Sequence, residues 1–504
     1  MRPDGSQSHP PRTMNAVLDS LERHAGLQGD REFLVLEDER ITFAGLFTRV
    51  QRLAGVLRAR GAGRGDRVVL YLARRTRYLT AYLAAMAAEA IPIHLYPERP
   101  PGWVDFAAAH TGAELVITDQ ERTDWQSFPH PVLHYPDLSD ATLPKVWPRE
   151  CFEVAYMMFT SGTTGQPKAV VTTQQNVLFV TKTLIDMAGM TPDDREVIVM
   201  PLGSTGGLGH FHSNLVLGNR TILLPYFFGT MTAADLCHML ETIAKERITG
   251  FLSTPGMLGR LATEHRELFR ETCRDVRYIL SNVCPVRPDL VRDLIGLLPN
   301  TRFHTYYGLT EASRSVHQCY NDHPGHVTAA GRPAPGVRIR IDRPNEAGQG
   351  EVLIAGGNVM AGYWGRGRDG FDEEGWFHSG DLGSVDAEGF LVIRGRVRDN
   401  INVDGLKFLP REVEDVLLGH PAVDDCAVVG LPDPIRFQQP AAMVVLAEQT
   451  DRPAIADELQ AFCRERLDFY KVPVRFCFAE AIPRSELGKV NREALVELMT
   501  QPDR

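Results

Sequence analysis

Between Met157 and Val171 the chain reads MMFTSGTTGQPKAVV, an apolar run broken by a bend rich in hydroxyls and glycine and then resumed. Met157 to Phe159 read as the end of a buried strand. The nine residues from Thr160 to Lys168 then supply four hydroxyls, two glycines, a proline and a lysine. Gly162 and Gly165 let backbone N–H groups come close to an anion, and Thr160, Ser161, Thr163 and Thr164 add hydroxyl donors. Lys168 adds a point charge. The bend therefore reads as a phosphate cradle. It is not the common one, which needs G-x-x-x-x-G-K-[ST], because Gln166-Pro167 separate Gly165 from Lys168. The plainer reading of the same letters is a polar surface hairpin, since Ser/Thr/Gly clusters are usually loops.

A chain of 504 residues exceeds the size at which one hydrophobic core keeps growing, so at least two domains are expected. A net charge of −10 argues against broad binding to nucleic acid or to an anionic membrane. The eight cysteines form no C-x-x-C and no even framework; they read as reduced, mostly buried thiols of a cytoplasmic protein. Residues 1–13 are polar, lack the apolar core of a secretory signal and are expected to fray. The most apolar helical stretch, Tyr78 to Leu95, contains Glu89 and Pro92 and is mostly alanine. It reads as a helix packed on a sheet followed by a strand, not as a membrane span.

Helix and strand signals alternate from Thr42 to Leu280, which predicts layered α/β architecture. Expected strands include 67–72, 115–118, 197–200, 221–224, 250–253 and 276–280, and expected helices 43–60, 173–187 and 233–247. From Arg338 the texture changes to short strands and tight turns, read as a small distorted β-barrel or sheet. Beyond Gly395 a compact α+β segment begins. The expected organisation is a tail (1–13), a large N-terminal domain (14–397) and a small mobile C-terminal domain (398–504).

Four further clusters carry chemistry. Tyr307-Gly308-Leu309-Thr310-Glu311 offers an aromatic face, a hydroxyl and a carboxylate able to hold Mg²⁺; a generic strand-to-helix turn accounts for it equally well. Ser379-Gly380-Asp381 places a carboxylate after a glycine, where it can accept two ribose hydroxyls or simply close an Asx turn. Gly395-Arg396-Val397-Arg398-Asp399 and Asp404-Gly405-Leu406-Lys407 follow. Gly488-Lys489 presents a lysine near the C-terminus, ordinarily a solvated surface group.

In this order the motifs are far more specific than any one alone, and the chain resembles the adenylate-forming superfamily of acyl- and aryl-CoA synthetases, peptide-synthetase adenylation domains and luciferase. Thr160 to Lys168 matches its phosphate loop, Tyr307 to Glu311 its Y-G-x-T-E turn, Ser379 to Asp381 its [ST]-G-D turn, Gly395 to Asp399 its hinge and Gly488-Lys489 its terminal lysine. The resemblance implies ATP, Mg²⁺ and a thiol acceptor, either coenzyme A or a phosphopantetheinyl carrier protein. It also implies roles: the loop and Lys168 hold the β,γ-phosphates, Thr310 and Mg²⁺ on Glu311 the α-phosphate, Tyr307 the adenine, and Asp381 with Arg396 the ribose. Lys489 bridges carboxylate and α-phosphate, Asp399 is the pivot, and Gly405 lines a thiol tunnel. With the resemblance, the chain reads as an AMP-forming ligase of a fatty or aryl acid and coenzyme A. A stand-alone enzyme loading a carrier protein is the alternative, and a non-catalytic nucleotide-binding homologue a minor one.

The acyl pocket is expected at Ser204, Gly206, Gly207, Asn282, Val283 and Tyr306. The stretch Gly203 to Gly209 has no acid to pair with a substrate ammonium, and burying one unpaired would cost roughly several kcal/mol. Three glycines after Ser204 suggest free volume. Both points favour a neutral, largely apolar acid. Arg314 is expected to form a surface salt bridge, with contact to a polar substrate group as the alternative. His210 and His212 read as structural.

Overall fold

The computed structural model describes residues 15–97, 99, 102–121, 125, 128–148, 152–160, 167–225, 231–282, 286–403, 406–433, 437–447, 452–484 and 488–500. These divide into two compact units, one running to Arg338 and including Ile354–Phe377, the other comprising Ile339–Leu353 and the chain from His378 onward. The architecture is mixed α/β, with a large N-terminal and a small C-terminal part.

Two sheets organise the first unit. In the larger, strands Arg302–Tyr307, Tyr278–Ser281, Gly250–Ser253, Arg195–Ile198, Arg220–Leu223 and Glu32–Leu36 run parallel in that order. Antiparallel strands flank them, Val316–Cys319 and Arg332–Pro333 on one side and Glu39–Thr42 on the other. In the smaller, Ile91–His94, Arg67–Tyr71, Leu115–Thr118 and Val132–His134 are parallel. The hairpin Val154–Thr160 and Lys168–Thr173 continues this sheet, and Gly362–Tyr363 closes its edge. Central strands such as Leu115–Thr118 are buried at every residue, as a parallel sheet covered on both faces requires.

Helices start where the side chains can satisfy orphan N–H groups. Gln174–Ala188 begins at Thr173 with a capping box to Asn176, and Ala233–Glu246 at Thr232 with Asp235. Arg75–Ala87 is buried on nearly every face, which accounts for its alanine content. Thr205–Leu217, not anticipated from sequence, starts at Ser204, whose Oγ accepts from the Gly207 N–H, and stops at left-handed Gly218. Its three glycines mask the helical signal. Leu208, Phe211 and Leu215 bury one face, worth about 2 kcal/mol each. The strand expected at 197–200 lies two residues earlier because the Arg195 carbonyl accepts from Thr249 N–H and extends the ladder backward.

A four-stranded sheet of Val337–Asp342, Gly350–Gly356, Phe377–Val385 and Leu391–Arg396, mainly in the second unit, occupies the region read as a small barrel or sheet. Beyond it Leu406–Phe408, Ile401–Val403, Phe437–Leu446 and Val423–Asp433 form a sheet, joined by Arg475–Phe478. Helices Pro410–Leu417, Arg452–Arg464 and Arg492–Thr500 complete the C-terminal part. Six cysteines are described, all as free thiols and four of them buried. Among the described residues no helix is long and apolar enough to cross a membrane.

Candidate active site

The ends of the phosphate-loop bend are fixed by the sheet. Thr160 and Lys168 are cross-strand partners at the mouth of the hairpin; Ser161, Gly162, Thr163, Thr164 and Gly165 lie outside the described residues. The Y-G-L-T-E segment leaves the strand Arg302–Tyr307 and returns as the antiparallel strand Val316–Cys319, so it is a strand-to-strand turn and not a helix start. A Cβ on Gly308 would fall 2.6 Å from the Arg314 nitrogen and 2.8 Å from the Ala312 oxygen. Only glycine lets the turn close.

Residues Val359–Tyr363 stitch the turn to the hairpin. Val359 bridges Ala312, the Met360 N–H donates to the Glu311 carbonyl, and Gly362-Tyr363 pair with Val171 and Val170. The result is a compact polar cluster. Thr160 Oγ1 donates to Glu311 Oε1 at 3.1 Å, and the Tyr363 hydroxyl donates to the same oxygen at 3.0 Å. Burial, then the Glu311 carboxylate, push the Tyr363 phenol well above its usual range. Lys168 Nζ lies 4.7 Å from the Tyr363 ring centroid and pairs with Asp369 Oδ2 at 2.9 Å. That ammonium holds the Asp369 carboxyl below its usual range. Thr310 and Tyr307 sit half-buried on the same turn.

The acyl-pocket residues also converge, in an unexpected way. Tyr306 is buried, and its hydroxyl accepts from Asn282 Nδ2 at 2.6 Å. A Cβ on Gly206 would lie 3.5 Å from that same nitrogen and 3.5 Å from Ser204 Oγ. Val283 lies outside the described residues. The glycines do not all leave free volume: a Cβ at Gly207 would meet the Pro201 oxygen at 2.3 Å, and one at Gly209 would meet Arg314 Nη2 at 2.3 Å. Close packing, not an open pocket, requires those two. Arg314 is no surface residue either. It is 1% exposed, its Cζ stands 5.3 Å from the Tyr306 ring centroid, and its backbone is left-handed at φ 53°. His210 pairs with buried Glu196 at 2.7 Å, and His212 bonds to the Tyr82 hydroxyl at 2.9 Å. Both histidines are structural partners.

Within the second unit Asp381 and Arg396 face each other across paired strands, Arg396 Nε donating to Asp381 Oδ1 at 2.7 Å. The Asp381 N–H donates to Ser379 Oγ at 3.0 Å. The two expected ribose residues thus form one pre-set pair. Asp399 ends a short 3₁₀ turn and accepts from Arg492 Nε at 3.2 Å; Arg492 also reaches Glu414 Oε1 and the Val428 carbonyl. Lys489 is exposed on a turn closed by the bridge between Arg484 and Val490. Gly405 lies outside the described residues.

Comparison with known proteins is consistent throughout. An AMP-binding enzyme family model matches residues 21–364, and the AMP-binding enzyme C-terminal domain matches 412–489. The chain belongs to the AMP-binding enzyme family. A feruloyl-CoA synthase from Amycolatopsis sp is 31% identical over 464 residues, covering 89% of this chain and 92% of that one. A 2-succinylbenzoate–CoA ligase from Bacillus cereus (strain Q1) is 29% identical over 501 residues, covering 97% and 100%. The o-succinylbenzoate CoA synthetase of Bacillus subtilis, solved with its acyl-adenylate intermediate, superposes with a TM-score of 0.82 at 28% identity, covering 96% of this chain and 98% of that one.

In this AMP-binding enzyme, Glu311 suits a magnesium ion. Both hydrogen bonds from Thr160 and Tyr363 fall on Oε1, so Oε2 points to no protein donor among the described residues. Mg²⁺ characteristically takes one or two carboxylates, substrate phosphates and water, and one carboxylate is what this turn offers. Sequence reasoning missed Tyr363 and Asp369, because neither stands beside the motifs they join. It also misplaced Arg314, because nothing local reveals that Gly209 makes room for it.

Proposed function

We propose that this AMP-binding enzyme is an AMP-forming acid–thiol ligase that converts an aryl carboxylic acid to its adenylate and passes the acyl group to coenzyme A. In the first step a carboxylate oxygen bonds to the α-phosphorus of ATP as the bond to pyrophosphate breaks. In the second a thiolate attacks the acyl carbon and AMP leaves. The observation that carries the reading is the contact of Thr160, at the base of the phosphate loop, with Glu311 of the Y-G-L-T-E turn. It ties the hydroxyl-rich bend to the Y-G-L-T-E turn, which supports a shared role for them at the phosphates.

The residues divide the labour by charge. The reaction brings an anion to a polyanion, so catalysis is mainly alignment and neutralisation. Ser161 to Gly165 and Lys168 would hold the outgoing phosphates, the latter exchanging Asp369 for phosphate oxygens. Thr310 would donate to the α-phosphate, and Tyr307 would stack on adenine. Mg²⁺ on Glu311 would supply positive charge at the phosphates. Asp381, oriented by Arg396, would accept the ribose hydroxyls. Lys489 would bridge the two reacting anions, and Asp399, at a boundary near 397/398, would be the pivot that later withdraws it and brings Gly405 to the thiol path. Related chains named as CoA ligases at nearly full coverage favour coenzyme A over a carrier protein.

Acid-dependent pyrophosphate release across a panel of aryl and fatty acids tests the first step, and coenzyme A against a phosphopantetheinyl carrier protein tests the second. Pyrophosphate that does not depend on any acid would refute the ligase. Faster transfer to the carrier protein would replace the acceptor. Lys489→Ala should lower adenylation by roughly 10²–10³-fold while largely sparing thioester formation from supplied acyl-AMP. An equal loss in both steps would remove Lys489 from its role.

A further inference from the structure

We propose that Arg314 is the specificity group of the acyl side, and that the preferred acid carries a second carboxylate, remote from the one that is activated, which this guanidinium binds. The proposal rests on the ligase reading and narrows its substrate class from aryl acids at large to one with a second carboxylate, in place of the neutral acid expected from sequence.

The argument starts from an unbalanced charge. Arg314 is one of the largest fully buried side chains of the protein. Its protein acceptors are both neutral, Ser313 Oγ at 3.0 Å and the Thr205 carbonyl at 3.2 Å. Its Nε is buried and has no hydrogen-bond partner. Among the described residues no carboxylate lies within ion-pair distance of it, and the buried carboxylate of Glu196, on the strand Arg195–Ile198, is hydrogen-bonded to His210. Guanidinium cannot shed its proton to relieve the cost, as a lysine or histidine can. An uncompensated buried charge costs roughly several kcal/mol, more than a marginally stable fold tolerates without return.

The groups around it do not neutralise it. His212, next to Arg314, is held neutral, its pKa lowered to about 3 by burial and then by the guanidinium itself. Tyr156 and Tyr306 are buried phenols pushed up by desolvation. The side chains that touch it are therefore neutral, and Glu196, which acts on Tyr306 from within the same core, makes no ion pair with it.

The fold also accepts two local costs to place the group there. A non-glycine residue at φ 53° is strained, and a glycine within a helix weakens it; Arg314 has the first and Gly209 the second. Both act to seat one guanidinium between the first turns of the helix Thr205–Leu217 and the face of Tyr306. Those are the walls that, with Asn282 and Gly206, make up the acyl side. Only two residues lie between Glu311 and Arg314, a reach of roughly 10 Å of chain at most, so the diacid is compact. A planar fork at that range matches a carboxylate through two parallel N–H···O bonds.

The test compares cinnamate with 3-carboxy- and 4-carboxycinnamate and with the methyl esters of their ring carboxyls. The readout is kcat/KM for pyrophosphate release by the full-length enzyme. At least one ring carboxylate should exceed its own methyl ester by roughly 10²-fold or more, since a site built for a polar group rejects the analogue lacking it. Arg314→Met should bring that ratio to within about three-fold of unity, and Arg314→Lys should keep part of it. Gly209→Ala, which leaves the arginine in place but crowds it, should shrink the ratio in a protein whose far-UV circular dichroism is unchanged. A wild-type enzyme that uses esters as well as carboxylates overturns the proposal. So does Arg314→Met or Arg314→Lys slowing every acid in the same proportion, which would make the arginine purely structural. Absence of pyrophosphate with all acids, together with intact ATP binding, would overturn the ligase reading itself and this proposal with it.

Discussion

Glu311 and Arg314 belong to one tight turn, yet they meet opposite physical regimes. Glu311 is half-buried and accepts two hydrogen bonds on one oxygen, leaving the other without a protein donor among the described residues. Arg314 is buried against Tyr306 and the helix Thr205–Leu217 with its Nε left unmatched. The carboxylate is satisfied enough to be stable and open enough to work. The guanidinium is over-supplied with donors and short of an acceptor. One turn thus carries a carboxylate and a guanidinium in opposite surroundings. The difference teaches that a local motif fixes where a charge is held, while its neighbours in distant segments decide what it is for.

The largest expected effect falls on the phosphate side. Glu311→Gln keeps the shape and most of the hydrogen bonding but removes the charge, and should lower acid-dependent pyrophosphate release by roughly 10²–10³-fold, about 3–4 kcal/mol of transition-state stabilisation. Steady-state kinetics at saturating ATP and magnesium measure it. A loss confined to KM would mean that Glu311 binds nucleotide without favouring the transition state, and the contrast drawn between the two sides of the turn would weaken.

A second effect belongs to buried histidines that lie behind both sides. His94 and His212 are buried and neutral, hydrogen-bonded to the Tyr78 and Tyr82 hydroxyls, and each has its pKa lowered to about 3, chiefly by desolvation. In the unfolded chain both protonate near pH 6.5. The unfolded state therefore binds more protons below that pH, and stability falls as pH drops from about 6.5 towards 3, by roughly 2 kcal/mol per histidine at pH 4.5. Urea midpoints from pH 7 to 4.5 report it. His212→Gln should flatten the profile, and an unchanged slope would show that acid sensitivity arises elsewhere.

How much of this was legible in the letters follows the same division. The hairpin and the turn could be located from the letters because their residues are consecutive: Thr160 and Lys168 bracket one bend, and Thr310 and Glu311 share one turn. Buried parallel strands such as Gly250–Ser253 and Leu115–Thr118 were placed to the residue because continuous apolar runs leave no other option. The packing around Gly207, Gly209 and Arg314 was misread because its logic is non-local. Three glycines after Ser204 resemble open space in a string of letters, but Gly207 is spent on the Pro201 carbonyl and Gly209 on a guanidinium from a segment more than a hundred residues away. Helix Thr205–Leu217 was hidden by the same glycines. Arg314 looked like a surface charge because arginine usually is one, and only tertiary packing overrides that expectation.

The smallest predicted effect is the most discriminating for the phosphate side, because it removes a residue that no motif announces. Tyr363→Phe deletes one of the two donors to Glu311 Oε1 and nothing else of comparable energy, since the ring that faces Lys168 remains. A hydrogen bond to a charged acceptor contributes roughly 1.5–3 kcal/mol, and retention of the Thr160 donor should keep the cost near the lower bound, or about ten-fold in kcat/KM for ATP. Paired with Thr160→Val in a double-mutant cycle, the two should be more than additive, because the last donor removed leaves the carboxylate oxygen with none. Strict additivity would mean that each hydroxyl acts on something other than their shared oxygen, and the cluster that joins the hairpin to the turn would lose its claim to be one site.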